Sequence, residues 1–152
     1  MENTREFTIA VLRELIQSCE EEESLFNRAS KRITDPKLIQ MLKNYSREKA
    51  EYIHKLESEI KRLGGKLDDC NSDLISTEKT YDTTTDYDNN KILLECVNQD
   101  VMTLNRYSSA IKEEILWEVI PLVAKQYFES QNMHEKLMHS FGKYQQTQYH
   151  IA

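Results

Sequence analysis

The sequence predicts an all-α domain, a bundle of four long helices with a long crossover between helices two and three. Three observations carry that prediction. The chain has 152 residues but only three Gly and two Pro, so its elements must be few and long. Residues at spacings of three and four form an inward stripe along each of the first three helices, the period of a helix that buries one face, and a fourth stretch carries a wider apolar surface. Between the second and third stretches lies one broad irregular region, about Lys66 to Asn90, rich in Asp, Thr, Ser and Asn.

The first helix should run from about Thr4 to Ile33, with Leu12, Leu15, Cys19, Glu22, Phe26, Ala29 and Ile33 forming one inward stripe. Thr34-Asp35-Pro36 then supplies an N-cap followed by Pro in the first turn of the next helix. So short a joint makes helices one and two antiparallel neighbours. Helix two should span Pro36 to Leu63, with Leu38, Leu42, Tyr45, Lys49, Tyr52, Leu56, Ile60 and Leu63 inward. Gly64-Gly65 closes it. The crossover is wide enough to pass from one end of a bundle to the other, with room for a weak helix around Leu74 to Thr83.

Helix three is expected from about Asn90 to Glu114, with Leu93, Cys96, Asp100, Leu104, Tyr107 and Ile111 inward. Helix four follows from about Trp117 to Phe141, and Pro121 belongs in its first turn, because Pro in a helix interior costs about 3 kcal/mol. The tail GKYQQTQYHIA shows no strong period. The domain is therefore taken as residues 1–143, with 144–152 as a frayed end.

Composition narrows the function classes. A net charge of −6 and a pI near 5.3 offer phosphate no attraction, so nucleic acid is not expected as a partner. No apolar run approaches the roughly 18 residues needed to span a bilayer, so no membrane partner is expected. The charged N-terminus MENTREFTIAVLREL is unlike a signal peptide, which makes the cytoplasm the expected compartment. Cys19, Cys70 and Cys96 are odd in number and lack a C-x-x-C pairing, so they read as reduced thiols. Cys96 has no basic neighbour within a turn to activate it. No nucleophile elbow, P-loop or dinucleotide fingerprint occurs.

The segments LRELIQSCEEEESLFNRAS, ITDPKL, a helix ending IKRLGG, LLECVNQDVMTLNRY and KQYFESQNMHEKL together resemble a bacterial family of ferritin-like four-helix-bundle proteins catalogued as a domain of unknown function. The resemblance covers about Leu12 to Leu137. It implies the bundle fold and no established activity.

Ferritin-like di-iron proteins draw a Glu from each of two helices and a Glu-x-x-His from each of the other two. Glu51-x-x-His54 has that spacing, but His54 falls off the inward stripe and reads as a surface histidine. Aligned with ferritin-like helices, the ligand positions fall on Cys19, Lys49, Tyr52, Asp100, Gln131 and His134. Only Asp100 and His134 are suitable donors, and Lys49 brings the wrong sign.

Glu20 to Glu23 sweep about 300° of helix surface at about 100° per residue, so one of them must point inward. Glu22 lies on the stripe, facing Lys49 across the first turn. With helices two and three parallel, Asp100 and His134 reach the same level and complete a buried polar layer. Such a layer fixes helix register or is the remnant of a metal site. In the second case Glu22, Asp100 and His134 are the only candidate ligands. His139 and His150 should be solvent-exposed, and Tyr45, Tyr52, Tyr107 and Tyr127 should be core residues with wet hydroxyls.

The expected function is that of a non-catalytic bundle with no cofactor, acting as a homodimer or larger homo-oligomer or through a protein partner. The excess of apolar residues on helix four (Val119, Ile120, Leu122, Val123, Tyr127, Phe128, Met133) points there for the contact. The alternative is a ferritin-like metal-binding or oxidative-stress protein with a degenerate site.

Overall fold

The structure is a computed structural model that describes residues 2–67 and 88–150. Four helices make it up: α1 (Glu2–Arg32), α2 (Pro36–Arg62), α3 (Asp88–Lys112) and α4 (Ile120–His150). No strand occurs among the described residues. The chain is an all-α four-helix bundle. The expected crossover helix around Leu74 to Thr83, and Cys70, lie outside the described residues.

The α1–α2 joint forms as its residues dictate. Asp35 is extended (φ −72°, ψ 116°), and its side chain accepts a hydrogen bond from the Lys37 backbone N–H at 3.0 Å. Pro36 occupies the first turn, where its missing N–H has no intrahelical partner to lose. At the other end of α2, the Gly65 N–H bonds the Ile60 carbonyl at 2.8 Å and the Gly64 N–H bonds Lys61 at 2.9 Å. This is a Schellman closure around Gly64, whose φ of 85° suits glycine. The Arg5 guanidinium ties the joint to α1 by donating to the Leu63 carbonyl at 3.0 Å.

Side-chain bonds fix the direction of every neighbouring pair. Arg5 meets Leu63, while Ser46 meets Glu23, so α1 and α2 are antiparallel. Thr8 meets Leu116, while Glu21 meets Gln99, so α1 and α3 are antiparallel. Asp100 meets His134 and Tyr107 meets Gln126, which makes α3 and α4 antiparallel. Arg62 meets Glu118 and Lys49 meets Ser130, which makes α2 and α4 antiparallel. Helices α2 and α3 therefore run parallel, and residues 68–87 connect opposite ends of the bundle. That connectivity is consistent with a ferritin-like bundle. Helices α2 and α4 approach least closely of the four neighbouring pairs, and long side chains bridge them.

The α1 and α2 stripes are buried along their whole predicted length, including Glu22 and Lys49. Leu12, Leu15, Leu42, Leu56, Ile60 and Leu93 are sealed from solvent, and each contributes about 1.5–3 kcal/mol of apolar burial. Several boundaries differ from expectation, with α1 starting at Glu2 and α3 at Asp88. Helix α3 ends at Lys112, two residues before Glu114, and 117–119 form a turn rather than the start of α4. Pro121 does sit in the first turn of α4. That helix continues past Phe141 to His150, because the residues of the tail contain no Pro and a lone Gly142 does not stop it. On α3 the buried position is Thr103, and Leu104 is only half-buried.

Candidate functional site

A buried polar layer crosses the bundle near its middle, and it contains all four residues that the helix registers place there. Glu22 comes from α1, Lys49 from α2, Asp100 from α3 and His134 from α4. Of the four consecutive acids on α1, Glu20, Glu21 and Glu23 are half-buried, whereas Glu22 is fully enclosed. Helix geometry requires this, since Glu22 shares a stripe with Cys19 and Phe26.

Lys49 is the centre. Its ammonium lies 3.4 Å from Glu22 Oε1, donates to Ser130 Oγ at 3.0 Å and sits 5.2 Å from the Tyr52 ring centroid. Its long stem is enclosed with it, leaving the residue 1% exposed. Beside it, His134 Nδ1 and Asp100 Oδ2 are 2.7 Å apart. His134 is the layer's edge, with a fifth of its side chain in solvent.

Neither carboxyl oxygen of Glu22 accepts a well-formed hydrogen bond among the described residues. A buried carboxylate so placed is costly, and the chemistry resolves it with a proton. Burial pushes the Glu22 carboxyl well above its usual range, and the Lys49 charge offsets this only in part, while Asp100 pushes it further up. Asp100 behaves oppositely. Burial works to raise it, but the His134 hydrogen bond, Glu22 and Lys49 together hold it below the ordinary value. One proton of this carboxyl pair thus resides on Glu22 and leaves Asp100 as the anion. Burial also works against the Lys49 charge, but Glu22, Cys19 and Asp100 outweigh it and the ammonium is held firmly protonated. His134 is raised by its hydrogen bond to Asp100, with burial opposing.

A second polar chain lies one turn away. The Tyr107 hydroxyl donates to Gln126 Oε1 at 2.6 Å and stands 3.2 Å from Cys19 Sγ, and Gln126 donates on to the Tyr52 carbonyl at 3.4 Å. Tyr107 is fully buried, so its hydroxyl is not wet, contrary to the sequence reading. Burial pushes the Cys19 thiol up to about 11 and raises Cys96 as well, so neither is an activated nucleophile.

Register places the remaining expected residues plainly. His54 and Glu51 are exposed, as is His139; His150's side chain lies outside the described residues. Gln131 does not enter the layer. It is half-buried and donates to the Tyr127 hydroxyl at 3.0 Å, and Ser130 takes the inward position. Ser130 and Gln126 were missed in the sequence, yet they belong to the stripe Val119, Val123, Gln126, Ser130, Met133, Leu137 and Phe141, whose spacings are all three or four.

A di-iron centre does not fit these residues. Hard cations need converging anionic oxygens and imidazoles, and no group of three His, Cys, Asp or Glu side chains is placed to hold a metal ion among the described residues. The middle of the layer holds an ammonium instead. Elsewhere, a surface cleft of about 250 Å³ between α1 and α3 is lined by Val11, Glu14, Leu15, Arg106, Ala110 and Glu113 among others, and it is separate from the layer.

Residues 7–113 match the family described as Domain of unknown function (DUF2383). The chain belongs to this family. The matched span takes in α1, α2 and α3 with their three layer residues, Glu22, Lys49 and Asp100, while His134 and Ser130 on α4 lie beyond it. No match to a curated protein is found. Among the described residues no helix is long and apolar enough to cross a membrane.

Proposed function

We propose that the protein is a non-catalytic helical bundle that works by association in the cytoplasm, joining a second copy of itself or a helical protein partner through the outer face of α3 and the adjoining part of α4. One observation carries this reading. Between Lys91 and Lys112, the exposed positions of α3 are Leu94, Asn98, Val101, Met102, Asn105 and Ser109, none of them charged. In a chain that is 30% charged this is a marked departure. Helix α2 shows the ordinary pattern, exposing Lys43, Arg47, Glu48, Glu51, Lys55 and Arg62.

Leu94 and Val101 lie one heptad apart, on the shoulder of α3 away from its α1-facing residues Gln99 and Arg106. Met138 occupies the matching shoulder of α4, on the same side as His134. Phe128 is 61% exposed on the outer face of α4 and Trp117 is 78% exposed at the turn before it. Apolar surface depleted of charge is the composition of an interface core. The buried layer supports the non-catalytic half of the proposal, because its charged groups are engaged with one another.

The test is light scattering at micromolar concentration. A dimer or larger species is expected, with Val101→Glu/Phe128→Glu reduced to monomer at unchanged helicity. A wild-type monomer at every concentration would sink the self-association reading. A second reading, a ferritin-like metal-binding or oxidative-stress protein with a degenerate site, draws on the Asp100–His134 contact at the solvent edge. The Lys49 ammonium weighs against it.

A further inference from the structure

The polar layer is built like a cation site whose cation never leaves. Its groups converge on a single point, and that point is Lys49 Nζ. Glu22 Oε1 is 3.4 Å away, Ser130 Oγ 3.0 Å, and the Tyr52 ring presents its face at 5.2 Å. Asp100 and Cys19 act electrostatically on the same ammonium. Glu22 is fully buried, and neither of its oxygens accepts a well-formed hydrogen bond among the described residues, while it shares its proton with Asp100. An enclosed carboxyl pair beside an enclosed cation is the arrangement of a ligand cage. Lysine also suits the role physically, being a compact point charge on a flexible stem.

We propose that Lys49 is a tethered internal cation occupying a true cation-binding cage formed by Glu22, Asp100, Ser130 and the Tyr52 ring, and that shortening residue 49 opens this cage to a free primary alkylammonium ion. The inference is independent of the association reading, since the cage is interior and the proposed contact face is not.

Truncation of Lys49 to Ala removes three methylenes and the ammonium, the outline of propylammonium. That ion is the probe. Thermal unfolding of Lys49→Ala is followed as propylammonium chloride is raised, with sodium chloride as the ionic-strength control. Binding to the folded state alone raises Tm by mass action. At about ten times the dissociation constant the shift should be roughly 3–5 °C for a domain of this size, and it should saturate. Wild type and Lys49→Met, whose cage is filled by chain, should show no more than the sodium chloride response.

A Lys49→Ala protein that responds to propylammonium no more than to sodium chloride overturns the proposal. So does stoichiometric uptake of Zn²⁺ or Mn²⁺ by the wild type that Asp100→Ala abolishes, because the cage would then accept a free metal with Lys49 in place. If Lys49→Ala does not fold alone, its far-UV circular dichroism is followed as propylammonium chloride is added. Recovery of the helical signal that sodium chloride does not produce supports the proposal, and no recovery overturns it.

Discussion

Replacing Glu22 with Gln separates two accounts of the buried layer that differ in sign. If Glu22 were an ionised partner of Lys49, the change would break a buried ion pair and cost about 3–5 kcal/mol. Burial, with the neighbouring Asp100 adding to it, raises the Glu22 carboxyl well above the ordinary 4.5 and so favours a proton on Glu22. Gln then mimics the resident state, with an amide N–H in place of the carboxyl O–H.

In the unfolded chain Glu22 ionises above about pH 4.5, whereas the folded protein keeps its proton until its own raised value. Stability linked to Glu22 is therefore fully present below pH 4.5 and is lost as pH rises toward the folded value. The slope in that window is about 1.4 kcal/mol per pH unit, and Glu22→Gln has no such slope. Urea denaturation at pH 5, 6, 7 and 8 reads the difference directly. The variant should match the wild type near pH 5 to within about 1 kcal/mol, and overtake it at higher pH. A constant difference across the series, or a loss of several kcal/mol at pH 7, would refute the protonated Glu22.

Two further substitutions test neighbouring parts of the layer. His134→Gln keeps a donor for Asp100 but removes the titrating imidazole, whose value its hydrogen bond to Asp100 raises above 6.5. Wild-type stability from this contact is full below pH 6.5 and declines as pH passes the raised value, so the variant should flatten that decline in denaturant melts between pH 6 and 8. Tyr107→Phe strips the donor from buried Gln126 Oε1 and the contact from Cys19, and should lower unfolding free energy by about 1–3 kcal/mol with unchanged far-UV circular dichroism.

The fold was legible because each helix carries one dominant stripe and each joint carries its own chemistry. Asp35-Pro36 and Gly64-Gly65 punctuate α2 unambiguously, and Glu22 and Lys49 are readable as buried because they fall in line with Leu15, Phe26, Leu42 and Leu56. The errors came where two adjacent residues competed for one inward place. Leu104 looked a better core residue than Thr103, but Thr103 satisfies its hydroxyl on the Gln99 carbonyl at 3.1 Å and its small volume makes room in the crowded layer. Ser130, not Gln131, lies on the buried stripe of Gln126 and Met133, and its short hydroxyl meets the Lys49 ammonium at 3.0 Å. The uncharged outer face of α3 was not legible for a different reason. Buried periodicity marks what a helix hides and says little about what its solvent side lacks.

A bundle whose middle is closed by its own charges around Lys49 should not work as a metal-oxidation centre. Anaerobic Fe(II) loading of the purified protein, followed by elemental analysis and then exposure to oxygen, tests it most directly. The structure predicts no stoichiometric retention of iron and no oxidation faster than that of iron in buffer. About two irons per chain, the complement of a di-iron centre, with rapid oxidation that Asp100→Ala abolishes, would contradict it.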